Sequence, residues 1–443
     1  MNRLANSDAP KARPAPAYTA SSEGDPLNLA VTGYVSATAG SVAGANAVLL
    51  KQLLQNGHEV LFGSKPWYVD PRPLVQDWGL SRGFQFADCS NGTPDRLHRW
   101  STSKPSLLKR IVRPVAAVWD DQTYRSRLTA CLASSAPTPI DACLWLGTWA
   151  GATLTGVPTV SWAQGPPGTD ARSIARHADE IRSLGGSVLL AKLRAYAAWR
   201  LGPGLPRFDH SDHLIVGSQW SREVLTDSYG IDESRVHHLP YPIDLNVFRP
   251  PVEPRTTTGP LRVLWLGRFV PRKRLPLFLN AMAEAIDQGV DLRATVVGRS
   301  AFVPNYERLI AEFTYPDRLD HRSSVSRADV PALMAEHDIL VQPSDDENFG
   351  SSVAEAQACG MPVIVGATNG TGDYVCERSI RLADDRVATL VDAVAAMAAR
   401  KRAGELADGG SSREAAKRHC APARVAAGLE RVIRLAMIDG AGQ

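Results

Sequence analysis

Short apolar runs that end in Gly- or Ser-bearing loops alternate with helical stretches twice along this chain, once on each side of a proline-rich break. Before the break the strand candidates are Leu27–Thr32, His58–Phe62, Ala142–Leu146, Thr159–Trp162 and His213–Val216. A helical stretch, Ala45–Gln55, follows the small-residue loop Ser36–Gly44 and stops at Asn56-Gly57. After the break, strands Arg262–Leu266, Arg293–Val297, Ile339–Gln342 and Pro362–Val365 alternate with helices near Leu275–Ala285, Val330–Glu336 and Ser352–Cys359. Parallel strands need crossover connections, so this alternation predicts parallel sheets covered by helices. The break itself, Pro250–Pro260, holds four prolines and three threonines without periodicity and reads as a linker. A chain of 443 residues also exceeds what one core usually serves. The expected class is α/β, with two doubly wound Rossmann-like domains facing a central cleft. The expected divisions are a disordered leader (1–24), a first domain (25–250), a linker (251–260) and a second domain with C-terminal helices (261–443).

Bulk properties narrow the function. A net charge of +3 gives no argument for nucleic acid. The six cysteines have no CxxC pair or framework spacing, which predicts reduced thiols and neither a secreted scaffold nor a zinc site. No apolar run reaches the roughly 18 residues of a membrane span, and the leader lacks a signal peptide's apolar block. The expected location is the cytoplasm, with the inner membrane face reached only peripherally.

The densest chemical signal is Ser344–Gly366, SDDENFGSSVAEAQACGMPVIVG. A strand delivers Asp345-Asp346-Glu347, Asn348-Phe349-Gly350 turns, and a helix starts near Ser351 or Ser352. A helix N-terminus at the carboxyl end of a strand suits phosphate. Glu347 before that helix and Glu355 one turn inside it can border one cleft and accept hydrogen bonds from hydroxyls. Glu355 has a second reading, since Ser352-Val353-Ala354-Glu355 matches a capping box. Asp345 and Asp346 read as turn carboxylates in preference to metal ligands. The second signal is LWLGRFVPRKR, Leu264–Arg274, in which a strand ends at Gly267 and Arg268 and Lys273 follow. Two cations there can neutralise a diphosphate. Arg272 and Arg274 belong to the same basic turn, and not all four can be ligands.

These residues together resemble the GT4-type family of retaining glycosyltransferases with the GT-B fold. Glu347 and Glu355, with seven residues between them, match its EX7E motif, with Phe349-Gly350 and Glu355-Ala356 in register. Ala358–Ile364 matches its ACGxPVI run, and Leu266-Gly267-Arg268 with Lys273 resembles GR(x4)K. Tyr241-Pro242-Ile243-Asp244 with Phe248 resembles NGVDxxxF, and Gly57-His58-Glu59-Val60 matches GHEV. The resemblance implies that Arg268 and Lys273 bind the donor's diphosphate and that Glu355 holds ribose hydroxyls. It implies that Glu347 and the Asn348–Gly350 backbone hold the transferred sugar, and that Gly44 gives the phosphates close approach. Leu144–Trp149 lacks the His that many relatives carry after the fourth strand, which leaves the sugar subsite on that side open.

The implied activity is transfer of a sugar from a nucleotide-diphosphate donor to an acceptor hydroxyl with retention, in polysaccharide or glycoconjugate biosynthesis. No metal or other cofactor is expected, because Arg268, Lys273 and the helix N-terminus stabilise the departing diphosphate. A GT-B epimerase or hydrolase and a non-catalytic nucleotide-sugar-binding protein are the alternatives. The acceptor would be a sugar or a lipid-linked glycan. Trp162 and Gln164, after a first-domain strand, read either as an acceptor-side cleft wall or as a rigid turn around a buried Trp. His210 and His213 have HxxH spacing but no third ligand. Lys104–Trp119 and Leu189–Leu201 are basic and amphipathic, as fits either helices packed on their own sheet or contact with anionic lipid. Between Arg96 and Arg127 there are eight Lys or Arg against two acids.

Overall fold

The computed structural model describes residues 24–38, 40–64, 69–89, 125–136, 138–147, 151–163, 165, 169–192, 210–301 and 303–441. Residues 1–23 of the predicted leader, Gln164 and the Lys104–Trp119 segment lie outside the described residues, as does most of Leu189–Leu201. Two compact units emerge, and they do not follow chain order. One takes the described residues of Ala20–Arg172, Leu189–Pro242 and Pro422–Gln443; the other takes Ser173–Val188 and Ile243–Ala421.

The first unit is built on seven parallel strands: β1 (Asn28–Gly33), β2 (Glu59–Gly63), β3 (Phe84–Ala87), β4 (Ala142–Leu146), β5 (Thr159–Trp162), β6 (His213–Val216) and β7 (Val236–His238). Their order is β3-β2-β1-β4-β5-β6-β7. Central strands such as β4 are buried along their whole length, as a sheet covered on both faces requires. The Pro422–Ala441 helix packs in this unit, although the sequence suggested that it closes the second domain. Its Glu430 accepts from Asn56 Nδ2 at 2.7 Å and meets His58 Nε2 at 2.9 Å. His58 Nδ1 accepts from the Leu27 amide at 3.0 Å, so one imidazole joins the start of β1 to the end of the chain.

Cys89, after β3, and Cys131, in the helix over 125–135, form a disulfide with Cα atoms 5.7 Å apart. The expectation of six reduced thiols is corrected at this pair. Its members are 42 residues apart, and the fold alone brings them together. Cys143, Cys359, Cys376 and Cys420 are free and buried. Burial raises the thiol of Cys143 to about 11 and those of Cys359 and Cys420 to about 12, so these three behave as apolar side chains.

The second unit has six parallel strands: β8 (Leu261–Leu266), β9 (Leu292–Val297), β10 (Leu319–Arg322), β11 (Ile339–Gln342), β12 (Val363–Val365) and β13 (Ile380–Arg381). Their order, β10-β9-β8-β11-β12-β13, reverses between β8 and β11. Open α/β sheets hold ligands beyond the carboxyl ends of the strands flanking such a switch. Trp265, Phe269, Phe278 and Tyr306 form the aromatic core beneath that point, with ring centroids 5.5 to 6.5 Å apart. The segment read as a linker is anchored here. Buried Arg255 donates to the carbonyls of His337, Gly360 and Cys359 at 2.9 Å each, meeting orphan acceptors at the end of the Ser351–Ala358 helix.

Close backbone approach sets both loops at the switch. A Cβ on Gly298 would lie 1.9 Å from the Gly267 carbonyl oxygen, and one on Gly366 would lie 2.4 Å from that of Ser344. Gly366→Ala should therefore destabilise the protein by about 1–3 kcal/mol through overpacking. Thermal unfolding should show it as a fall of at least roughly 2 °C in Tm. An unchanged Tm would mean that the Ser344 loop moves aside without cost.

Candidate active site at the switch between β8 and β11

The loop after β8 carries Gly267, Arg268 and the tight turn Pro271–Lys273. The loop after β11 carries Asp345 through Gly350. A backbone bond from the Asp345 amide to the Arg272 carbonyl, 2.8 Å, joins them. Glu347 then receives two cations on the same oxygen: Arg272 Nη1 at 2.6 Å and Lys273 Nζ at 2.5 Å from Oε2. Burial opposes charge on Glu347, but the two cations outweigh it and hold the carboxyl below its ordinary range. Burial pulls the Lys273 ammonium down from its usual range against the attraction of Glu347. We assign the pair as ionised, because a second cation on Glu347 compensates its desolvation. Arg268 is exposed beside them.

The Ser351–Ala358 helix begins two residues earlier than a capping box on Ser352 would require. Gly350 precedes it without a side-chain cap, and the Ser352 hydroxyl accepts from Gln342 Nε2 at 2.7 Å. The capping reading of Glu355 is therefore corrected. Glu355 instead pairs with Arg327 Nη2 at 2.6 Å, and the guanidinium of Arg327 lies over the Phe248 ring at 4.9 Å. The turn preceding Phe248 is fixed by Asp244, whose Oδ1 accepts from the amides of Asn246 and Val247. A side chain at Gly350 would displace Gln342, since a Cβ would lie 2.6 Å from its Oε1. Its amide donates to Thr371 Oγ1 at 2.6 Å, and Thr371 is held in turn by Asn369. Asn348 and Phe349 are buried in the same loop, with Phe349 against Tyr374 at 6.0 Å.

The second unit thus brings together Gly267, Arg268, Lys273, Glu347, Asn348, Phe349, Gly350, Ser351, Ser352 and Glu355. Gly44 and Trp162 belong to the first unit. Gly44 lies inside the Ser41–Gln55 helix, where the sequence suggested a loop. Trp162 is buried at the end of β5, edge-on to Tyr241 at 6.0 Å. His213 meets His237 of β7 at 2.9 Å and Asp439 of the Pro422–Ala441 helix at 3.2 Å, which occupies both of its ring nitrogens. Asp345 and Asp346 have partners within the chain: His177 Nε2 stands 2.5 Å from Asp345, and Arg176 lies 3.6 Å from both. Sequence reasoning missed Arg327, Arg176, His177, Gln342, Asn369 and Thr371. The Thr368–Gly372 run, TNGTG after β12, was the one signal available for the last two.

Residues 252–414 match the family described as Glycosyl transferases group 1. The matched residues lie within the second unit and make up less than half of the chain. A D-inositol 3-phosphate glycosyltransferase of Mycobacterium sp. (strain KMS) is 30% identical over 173 residues, which are 37% of this chain and 38% of that protein. Its counterpart in Paenarthrobacter aurescens (strain TC1) is 28% identical over 194 residues, covering 42% and 46%. The chain therefore matches about two fifths of the length of these relatives. Over the whole fold, sucrose-phosphate synthase from Thermosynechococcus elongatus superposes with a TM-score of 0.59 at 16% identity, covering 92% of this chain and 98% of that one. Anabaena HepE, solved with UDP and glucose, gives 0.56 at 12% identity, covering 92% and 100%. Both units therefore share the α/β GT-B architecture of these neighbours. Among the described residues no helix is long and apolar enough to cross a membrane.

Glu355 is shifted in the opposite direction from Glu347. Burial raises its pKa above the ordinary 4.5, and Arg327 offsets only part of that. Folded Glu355 therefore holds its proton more tightly than unfolded Glu355 does. The stability this contributes is complete below the unfolded value and is lost as pH rises through the folded one. Glu355→Gln cannot ionise, so its Tm relative to the natural chain should climb as pH rises above the ordinary carboxylate range. A Tm difference constant across that range would show that burial does not penalise this carboxylate.

Proposed function

We propose that this protein transfers a sugar from a nucleotide-diphosphate donor to an acceptor hydroxyl, with retention of configuration and without a metal ion. The observation that carries the reading is the pairing of Arg272 and Lys273 with Glu347 at the carboxyl ends of β8 and β11. A nucleoside diphosphate leaving group gains charge as the glycosidic bond breaks, and fixed cations already in place stabilise that charge without reorganising. Lys273 and Arg268 meet the diphosphate, and the first amides of the Ser351–Ala358 helix face it as donors with no intrahelical partner. Glu355, fixed by Arg327, takes the ribose hydroxyls. Glu347 keeps the cations balanced through Oε2 and accepts a sugar hydroxyl through Oε1, with the Asn348–Gly350 backbone beside it. The acceptor is a sugar or a lipid-linked glycan. Uridine diphosphate, present in the Anabaena neighbour, is the first donor nucleotide to test.

The test is release of nucleoside diphosphate from a panel of nucleotide sugars, with the anomer of any product read by NMR. Lys273→Ala and Arg268→Ala should each lower turnover by roughly a hundredfold, the loss expected for one charge partner of the transition state. Near-normal rates in both variants would remove the diphosphate assignment. Activity should also persist in EDTA, since Asp345 and Asp346 already face His177 and Arg176. Loss on chelation with recovery in Mg²⁺ or Mn²⁺ would make those carboxylates metal ligands.

A further inference from the structure

Three described residues other than glycine adopt left-handed backbone: Arg274 (φ 54°), Asn305 (φ 66°) and Asp346 (φ 49°). Asn and Asp tolerate this region; an arginine does not do so without support. All three side chains contact the one segment Ser173–Val188. Asn305 Nδ2 donates to the Leu184 carbonyl at 2.9 Å, and Arg176 lies 3.6 Å from Asp346. Arg274 Nη1 donates to His177 Nδ1 at 2.9 Å and reaches Glu180 at 3.3 Å. Glu180 also accepts from the Tyr306 hydroxyl at 2.6 Å.

A guanidinium can only donate, so His177 Nδ1 is the acceptor and carries no proton. The proton sits on Nε2, which donates to Asp345 Oδ2 at 2.5 Å. One neutral imidazole therefore ties the loop after β8 to the loop after β11. Its partners are immediate neighbours of the proposed diphosphate residues: Arg274 follows Lys273, and Asp345 precedes Glu347 by two positions. Resting on the proposed reading of Lys273 and Glu347, we propose that His177 is a positioning residue for the diphosphate site, holding the strained Arg274 turn and the Asp345 loop in register. The Ser173–Val188 segment is then part of the donor site, although it lies far from the motif residues in the chain.

Two measurements test this, one of them independent of any ligand. Hydrogen exchange of the ligand-free protein follows the amides of Lys273, Arg274 and Asp345, which bond to Val270, Pro271 and Arg272. His177→Asn keeps an acceptor for Arg274 and loses the reach to Asp345; His177→Gln keeps a donor for Asp345 and loses the acceptor. Both should speed exchange in these two loops by about tenfold or more while β9 and β12 exchange as before. The second measurement is a cycle on UDP affinity. Glycine occupies the left-handed region freely, so Arg274→Gly relieves the turn of its need for His177. His177→Asn should weaken UDP binding by about tenfold alone and by clearly less in the Arg274→Gly background. Unchanged loop exchange, or additive effects in the cycle, would overturn the positioning role. Accelerated exchange in a protein that never binds UDP would uphold the tie between the loops and refute only the nucleotide reading.

Discussion

Glu347 meets Arg272 and Lys273 through a single oxygen, and that contact organises the carboxyl end of the second sheet. The three charges are nearly buried, and burial without partners would be costly for each. The carboxylate comes from the loop after β11 and both cations from the loop after β8. Adjacent parallel strands place those two loops side by side only because the strand order reverses between them. The backbone bond from Asp345 to Arg272 and the close approaches at Gly298 and Gly366 fix the same pair of loops. Charge placement and sheet topology are thus one constraint: moving either loop would strand a buried ion.

A second carboxylate, Glu355, is supported from another direction. Arg327 reaches it from the segment before the Val330–Ala335 helix and lies on the Phe248 ring. Phe248 owes its place to the Asp244 turn, so a motif that looks like a connector supports a site residue through one intermediate side chain. The buried side chains of Gln342, Asn369 and Thr371 hold the Gly350 turn between the two glutamates. Such satisfied polar networks specify one arrangement of a loop that could otherwise adopt several.

The interior strands were legible in the sequence, because burial on both faces writes continuous apolar runs such as Ala142–Leu146 and Ile339–Gln342. The four unread strands, β3, β7, β10 and β13, are the edges of the two sheets. Each is short and at least half solvent-facing or polar, so its residues carry little pattern. The Ser41–Gln55 helix began earlier than expected, since Ser41-Val42-Ala43-Gly44 has a loop's composition and only Gly40 at φ 42° marks the entry. The contiguous motif residues were legible for the same local reason that they share two loops. Their partners were not. His177 is 168 residues from Asp345, Cys89 is 42 from Cys131, and the Pro422–Ala441 helix returns to the first unit. Contacts of that kind are set by topology and leave no spacing to read.

The central claim is that Lys273 and Arg268, beside Glu347, bind the diphosphate of a nucleotide donor. Isothermal titration of the natural chain with UDP, UMP and uridine at one ionic strength tests it most directly. The account predicts tightest binding for UDP, with each phosphate removed costing affinity, and loss of that preference in Lys273→Ala. Equal affinities for UDP and uridine, or a preference that survives in Lys273→Ala, would contradict it.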